Sequence, residues 1–201
     1  MTTRAERPRG RTPAGPPAKV RIIGGAWKRT PLPVVEAPGL RPTPDRVRET
    51  LFNWLGADLH GWRCLDLFAG TGALGLEAAS RGAARVVLVE RDARALAALR
   101  SVRDRLGAGA VQIVAGDALA YLARAAERFD LVLLDPPFDT DSLARVLPRL
   151  PAVLAPGAAV YVESPGPLTP ALRSAVPELV LHRSDKAGQV HYHLLLQPPT
   201  A

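Results

Sequence analysis

The feature that most constrains the fold is a series of short apolar runs, each with an acid at or near its end. RCLDLF (63–68), RVVLVE (85–90), VQIVA (111–115) and FDLVLL (129–134) alternate with stretches of helical spacing at 73–81, 92–106 and 117–127. The runs are near-continuous rather than alternating, as in parallel strands covered on both faces. Strands and helices in this order predict an α/β three-layer sandwich. Further strands are expected at 158–163, 178–183 and 189–196, and helices at 141–150 and 168–175. Only the link Asp185–Gly188 separates the last two strands, so they form an antiparallel hairpin at the sheet edge.

Ahead of this core, VRII (20–23) and the stretch Trp27 to Val35 read as short strands around Gly24-Gly25, a hairpin. In RPTPDRVRETLFNWLG, Thr43 suits an N-cap and Pro44 the first helical position. Val47, Leu51, Trp54 and Leu55 follow helical spacing, and Gly56 ends the helix. Residues 1–18 are an Arg/Pro tail with almost no large apolar residue and read as disordered. The chain thus divides into this tail and one domain over 19–201, made of a basic hairpin (19–40) and a core (41–201).

Charge is unevenly placed. Of the formal net charge of +7, all lies in residues 1–50, with eleven Lys/Arg against four acids. A basic arm on a neutral body is the footprint of a polyanion binder. No apolar run is long enough to span a bilayer, and no signal-peptide core follows the basic start. The single cysteine, Cys64, fits a small buried strand residue and a cytoplasmic protein.

The loop LDLFAGTGALGLEAAS follows the first of the four runs. Gly70-x-Gly72-x-x-Gly75 fits a dinucleotide fingerprint, with Glu90 at suitable spacing. Asp66 argues against that reading, because a carboxylate there repels a pyrophosphate lying against the loop. A cationic ligand such as S-adenosylmethionine reverses the argument. Glu90 can accept ribose hydroxyls in either case. Asp117 can bond an adenine amino group or cap a helix. Asp66, Glu90, Asp117 and Asp135 stand at successive strand ends, where open parallel sheets bind ligands.

DPPF (135–138) resembles the [DNS]-P-P-[YFW] motif of amino methyltransferases. In such a site Asp135 accepts a hydrogen bond from the amine, a carbonyl of the Pro136-Pro137 turn accepts another, and Phe138 stacks on a base removed from its helix. The blocks RIIGGAWKRTPLPV, GLRPTPDRVRETLFNWL, LDLFAGTGALGLEAASRGA, DPPF and KAGQVHYHLL, covering about residues 20–197, resemble the bacterial RsmD-type 16S ribosomal RNA guanine-N2 methyltransferases. The resemblance implies a class I methyltransferase fold: a Rossmann-like, seven-stranded, mostly parallel sheet with an antiparallel C-terminal hairpin and an N-terminal hairpin extension. It implies S-adenosylmethionine held by Thr43, Asp66, Phe68, Gly70, Thr71, Gly72, Glu90, Arg91, Asp117, Ala118 and Asp135. It also implies a guanine in the 16S rRNA of assembled or assembling 30S subunits, contacted by Arg21, Lys28, Arg29, Arg41 and Arg46. A monomer without metal or membrane partner is expected. The other readings are an adenine-N6 DNA methyltransferase, for which the chain has no room for a target-recognition domain, and a non-catalytic nucleotide-binding assembly factor. His191 and His193 share a strand face but lack further zinc ligands. Trp27 and Trp54 read as packing residues, and Asp139 and Asp141 as starts of the next helix.

Overall fold

The computed structural model describes residues 20–34, 43–138 and 141–198. The Arg/Pro tail, Arg41 and Asp139 lie outside them. The chain runs β1 (Val20–Arg21), β2 (Pro31–Leu32), α1 (Asp45–Trp54), β3 (Arg63–Asp66), α2 (Ala73–Ser80), β4 (Arg85–Glu90), α3 (Ala93–Leu106) and β5 (Val111–Ala115). It continues through α4 (Ala118–Leu122), β6 (Phe129–Leu134), α5 (Ser142–Val146), a 3-10 segment (Leu147–Val153), β7 (Leu154–Ser164), α6 (Pro170–Ser174), β8 (Val180–Ala187) and β9 (Val190–Leu196).

Seven strands form one sheet in the order β5-β4-β3-β6-β7-β9-β8. β5 through β7 are parallel; β9 runs antiparallel between β7 and β8. This is the seven-stranded, mostly parallel sheet expected, with β1 and β2 as a separate two-stranded sheet. Strand periodicity divides the core. Cys64, Val86, Leu88, Leu131, Leu133 and Tyr161 face one apolar layer with α1, α2 and the hairpin. Leu65, Val87, Val89, Val132, Leu134 and Val160 face the other, with α4, α5 and the 3-10 segment. β8, at the edge, is mostly exposed and carries Arg183, Asp185 and Lys186, charges that discourage edge pairing.

Several elements depart from expectation for physical reasons. The N-terminal strands are only two residues each. Their connecting backbone bonds instead to the end of α2: Ala26 N–H donates to the Ser80 carbonyl (2.7 Å), Trp27 N–H to Ser80 Oγ (2.9 Å), and Ser80 Oγ to the Gly24 carbonyl (2.6 Å). Gly25, at φ 71°, lies so close that an added Cβ would stand 1.8 Å from the Ser80 oxygen. The helix expected at 141–150 becomes 3-10 from Leu147, because Pro148 and Pro151 cannot donate to an α ladder. α4 stops at Leu122 rather than 127, and the chain turns so that Glu127 meets Arg63 and Arg85, each at 2.7 Å. β7 begins earlier than read, and β8 extends to Ala187, leaving only Gly188 and Gln189 as the turn to β9.

Arg48, read as part of a basic arm, is fully buried. It donates to the carbonyls of Arg21 (2.8 Å) and Thr43 (3.3 Å) and to Asp45 (2.6 Å), and lies 3.6 Å from buried Glu77. Glu77 in turn accepts from Ile23 N–H (2.7 Å) and Arg81 (2.8 Å). A buried charge needs such partners, because desolvation alone costs several kcal/mol per ion. The network ties the hairpin to α1 and α2, so this arginine holds the fold together and is not offered to a ligand.

Candidate active site

The strand order reverses between β3 and β6: the chain passes from β3 outward to β4 and β5, then returns beyond β3 to β6 and β7. The carboxyl ends of strands beside such a switch point leave a crevice. A cavity of about 910 Å³ opens there. That is at the upper end of the range for small-molecule sites, roughly 300–1,000 Å³.

Asp66 ends β3 and is 1% exposed. Its Oδ1 accepts from Phe68 N–H (3.3 Å) and its Oδ2 from Gly75 N–H (3.1 Å), so the carboxyl pins the glycine loop from below. Gly75 has no space for a side chain: an added Cβ would lie 2.2 Å from Leu88 and 3.2 Å from Asp66 Oδ2. Burial raises the Asp66 pKa to about 7 against the lowering effect of those two N–H groups; the charges of Asp135 and Glu90 add to the rise. Glu90 ends β4 and holds the loop from the other side. Its Oε2 accepts from Gly70 N–H (2.8 Å), and its Oε1 from Arg91 and Asp92 N–H, both 2.7 Å. Asp117 caps α4, accepting from Leu119 (2.9 Å) and Ala120 (3.3 Å). Each of these acids therefore has a local structural task as well as a place on the cavity wall.

Asp135 follows β6 directly. Thr43 Oγ1 donates to its Oδ2 at 3.0 Å. Thr43 is thus not the helix cap that the sequence suggests: Pro44 holds the N-cap position with no side-chain bond, and the threonine hydroxyl is directed to Asp135 and also bonds Glu163. Burial raises the Asp135 carboxyl to about 7, opposed by the Thr43 bond. Pro136 is buried, while Pro137 and Phe138 are partly exposed at the cavity wall.

The cavity wall includes Thr43, Asp66, Phe68, Gly70, Thr71, Glu90, Arg91, Asp117, Ala118, Asp135, Pro136, Pro137 and Phe138. Gly72, grouped with them by sequence, is buried instead as the N-cap of α2, at φ 78°. Arg21, Lys28, Arg29 and Arg46 are exposed and stand outside the cavity wall. Arg21 also pairs with Asp45 at 3.1 Å. Trp54 packs on Tyr192 with ring centroids 5.4 Å apart, and Trp27 packs against the core.

Two parts of the wall were not among the catalytic or cofactor residues expected from sequence. The β8–β9 turn supplies Ala187 through Val190. Glu163, 2% exposed near the end of β7, supplies a further acid. The rule that marked the other acids, a carboxyl where a parallel strand ends, also marks Glu163 in AAVYVE. Burial raises its pKa well above the ordinary range, and the Asp135 charge adds to this. Among the described residues, no group of three or more His, Cys, Asp or Glu side chains is placed to hold a metal ion.

A wall of carboxyls beside a glycine loop suits a ligand that carries positive charge. Residues 20–196 match the family described as conserved hypothetical protein 95. The chain is 44% identical over 178 residues to the ribosomal RNA small subunit methyltransferase D of Escherichia coli K12, spanning 88% of this chain and 89% of that one. The Haemophilus influenzae protein of the same name is 41% identical over 152 residues, 73% of this chain and 79% of the relative. Among solved structures, Escherichia coli yhhF, described as a methyltransferase, superposes with a TM-score of 0.78 at 40% identity, over 91% of this chain and all of that one (100%). SMU.776, solved in complex with SAH, shares the fold with a TM-score of 0.63 at 14% identity, over 79% of this chain and 50% of that one.

Proposed function

The chain belongs to the conserved hypothetical protein 95 family and is a small-subunit ribosomal RNA methyltransferase, and on that premise we propose that it transfers a methyl group from S-adenosylmethionine to the exocyclic N2 of a guanine in 16S rRNA. The observation that carries this reading is the meeting of two motifs on one wall. DPPF and the acid-pinned glycine loop stand side by side at the switch point, at the ends of β6 and β3.

The residues present suit the cofactor. Asp66 is buried and Asp135 half-buried, and desolvation raises both carboxyls to about 7, so each gains from a cation brought close to it. Glu90 and Asp117 present carboxylates to a ribose and an adenine amine. Glu90 already receives three backbone N–H groups, so it enters the site in a fixed orientation. When bound, S-adenosylmethionine supplies an electrophilic methyl group on a sulfonium.

The chain's own residues act on the nucleophile. The lone pair of guanine N2 is delocalised into the ring, and attack requires it to be localised. Asp135 accepts one N2–H. Pro136 and Pro137 have no N–H, so the turn offers carbonyl oxygen without a competing backbone donor, and one of these accepts the other N2–H. Both bonds favour a tetrahedral nitrogen. As the bond to carbon forms, the nitrogen becomes acidic, and Asp135 is placed to receive its proton; a carboxyl near pKa 7 is matched to that role. Thr43 fixes the orientation of the carboxyl. Phe138 stacks on the base, and the exposed Arg21, Lys28, Arg29 and Arg46, with Arg41, meet RNA phosphates. The partner is 16S rRNA in assembled or assembling small subunits, and the reaction belongs to the cytoplasm.

Mass spectrometry of rRNA from a deletion strain should show one N2-methylguanine missing from 16S rRNA. The wild-type gene should restore it and an Asp135→Ala gene should not, although the purified variant still binds S-adenosylmethionine. Unchanged 16S methylation in the deletion strain would sink this reading. A lost N6-methyladenine in DNA would favour the other amino methyltransferase reading.

A further inference from the structure

Five strand ends meet the cavity in sheet order β5-β4-β3-β6-β7, and each brings an acid: Asp117, Glu90, Asp66, Asp135 and Glu163. The first three line the half assigned to the cofactor, and Asp135 stands at the reacting nitrogen. Glu163 is next, on the side of Asp135 away from the glycine loop. We propose that Glu163 is the specificity-determining residue for the base, accepting the N1–H of the target guanine while Asp135 accepts from N2. The assignment rests on the methyl-transfer reading above.

The geometry supports a reading role over a packing role. Glu163 is nearly sealed from solvent yet borders the cavity. Buried Tyr161, two residues earlier on the same strand face, donates its hydroxyl to Glu163 Oε1 at 2.9 Å and so holds the carboxyl in one orientation. An apolar side chain would fill this place without the desolvation cost of an acid. That cost is offset in part by Tyr161 and Thr43, which both donate to the carboxyl; a carboxylate accepts up to about four hydrogen bonds, so it keeps capacity for a donor presented from the cavity. Neighbouring strands lie about 4.8 Å apart, so carboxyls at adjacent strand ends can address adjacent groups on one base edge. Guanine presents N1–H and the N2 amine side by side on its Watson–Crick edge, the edge by which extruded bases are read. Adenine has a bare acceptor at N1, and cytosine a bare acceptor at N3.

The turn Ala187–Val190 lines the same cavity.

The test compares two synthetic RNAs that carry the small-subunit sequence methylated by the wild-type protein. One has guanine at the target position. The other has 2-aminopurine, which keeps the 2-amino group but lacks N1–H. They are presented naked or in reconstituted small-subunit particles, whichever the wild-type protein methylates. Single-turnover rates should favour guanine in the wild type. In Glu163→Met the preference should shrink by roughly tenfold or more, through loss on guanine alone, as expected when a site built around a hydrogen bond loses its partner. Glu163→Asp, which withdraws the carboxyl by one methylene, should give the same result and serves if the methionine variant does not fold. S-adenosylmethionine affinity, measured by calorimetry, should be unchanged. Equal slowing on both bases, or a wild type with no preference for guanine, overturns the assignment. Absence of methyl transfer to either RNA by the wild type would instead overturn the functional reading on which it rests.

Discussion

The affinity of the protein for S-adenosylmethionine should depend steeply on pH below neutrality, and Asp66 should be a main cause. Its carboxyl is raised from 3.8 to about 7 by burial. A cation bound nearby favours the ionised form, so binding expels a proton wherever the free protein still holds one. Below pH 7 the ionised fraction falls tenfold per unit, equivalent to ~1.4 kcal/mol of binding free energy per pH unit. Affinity should therefore lie roughly tenfold at pH 6, and roughly thirtyfold at pH 5.5, below its limiting value with Asp66 fully ionised. Asp135, also raised to about 7, can steepen the slope further. The assay is calorimetry from pH 5.5 to 7.5, repeated in buffers of different ionisation enthalpy to count released protons. The upper limit keeps the ligand's α-amino group, with an ordinary pKa of roughly 7.7–8.0, largely charged.

Asp66→Asn should lower the plateau and remove one unit of slope. Stability gives an independent check. Because the folded pKa of Asp66 lies above the unfolded value, this carboxyl binds more protons when folded, and its effect is to lower stability as pH rises from about 4 to about 7. Asp66→Asn should remove that decline from the Tm of the ligand-free protein. A flat wild-type affinity profile, or an unchanged slope in a folded Asp66→Asn protein, would refute the charge argument.

Thr43→Val should raise the Asp135 pKa further, since the lost bond favours the charged carboxyl; the acid limb of the pH–rate profile should move to higher pH, and an unmoved limb would separate Thr43 from the catalytic acid. Gly25→Ala should be among the more destabilising single changes, because it combines a positive φ with a Cβ 1.8 Å from the Ser80 oxygen; a Tm within a degree of wild type would show that the hairpin can lift from α2. Neutralising Arg21, Lys28 and Arg29 together should flatten log affinity for RNA against log salt by roughly 2–3 units. The lower figure is expected because Arg21 is already paired with Asp45, and an unchanged slope would place the RNA elsewhere.

The acids at 66, 90, 117 and 135 were legible because they depend on local patterns: an apolar strand, its end, and a carboxyl beside it. Glu163 obeys the same pattern, but no motif surrounds it to draw notice. Thr43 was misread as a cap because its hydroxyl is claimed by a residue 92 positions away, a competition that propensity does not contain. Charge counting placed Arg48 on the surface, whereas tertiary contacts bury it completely and surround it with carbonyls and carboxylates. The hairpin pattern was visible, but its short ladder was not, because its hydrogen bonds go to α2. The prolines at 148 and 151 could have marked the change from α to 3-10 geometry. The part played by the β8–β9 turn depends on sheet order, which spacing alone does not specify.

That sheet order has a consequence for vectorial synthesis. β9 follows every other described strand in the sequence yet lies between β7 and β8. While the chain emerges at about 5–20 residues per second, the parallel part of the sheet can assemble through β7 with the outer edge of that strand unpaired. Its apolar Ala158–Val162 stretch is then an open template for other chains. β8 cannot cover it in the native order; only residues 190–196 can, by inserting alongside. The same insertion brings Ala187–Val190 to the cavity. A nascent chain therefore carries its glycine loop and DPPF corner before it has a closed pocket, and protection of the sheet edge and completion of the site arrive together, with β9.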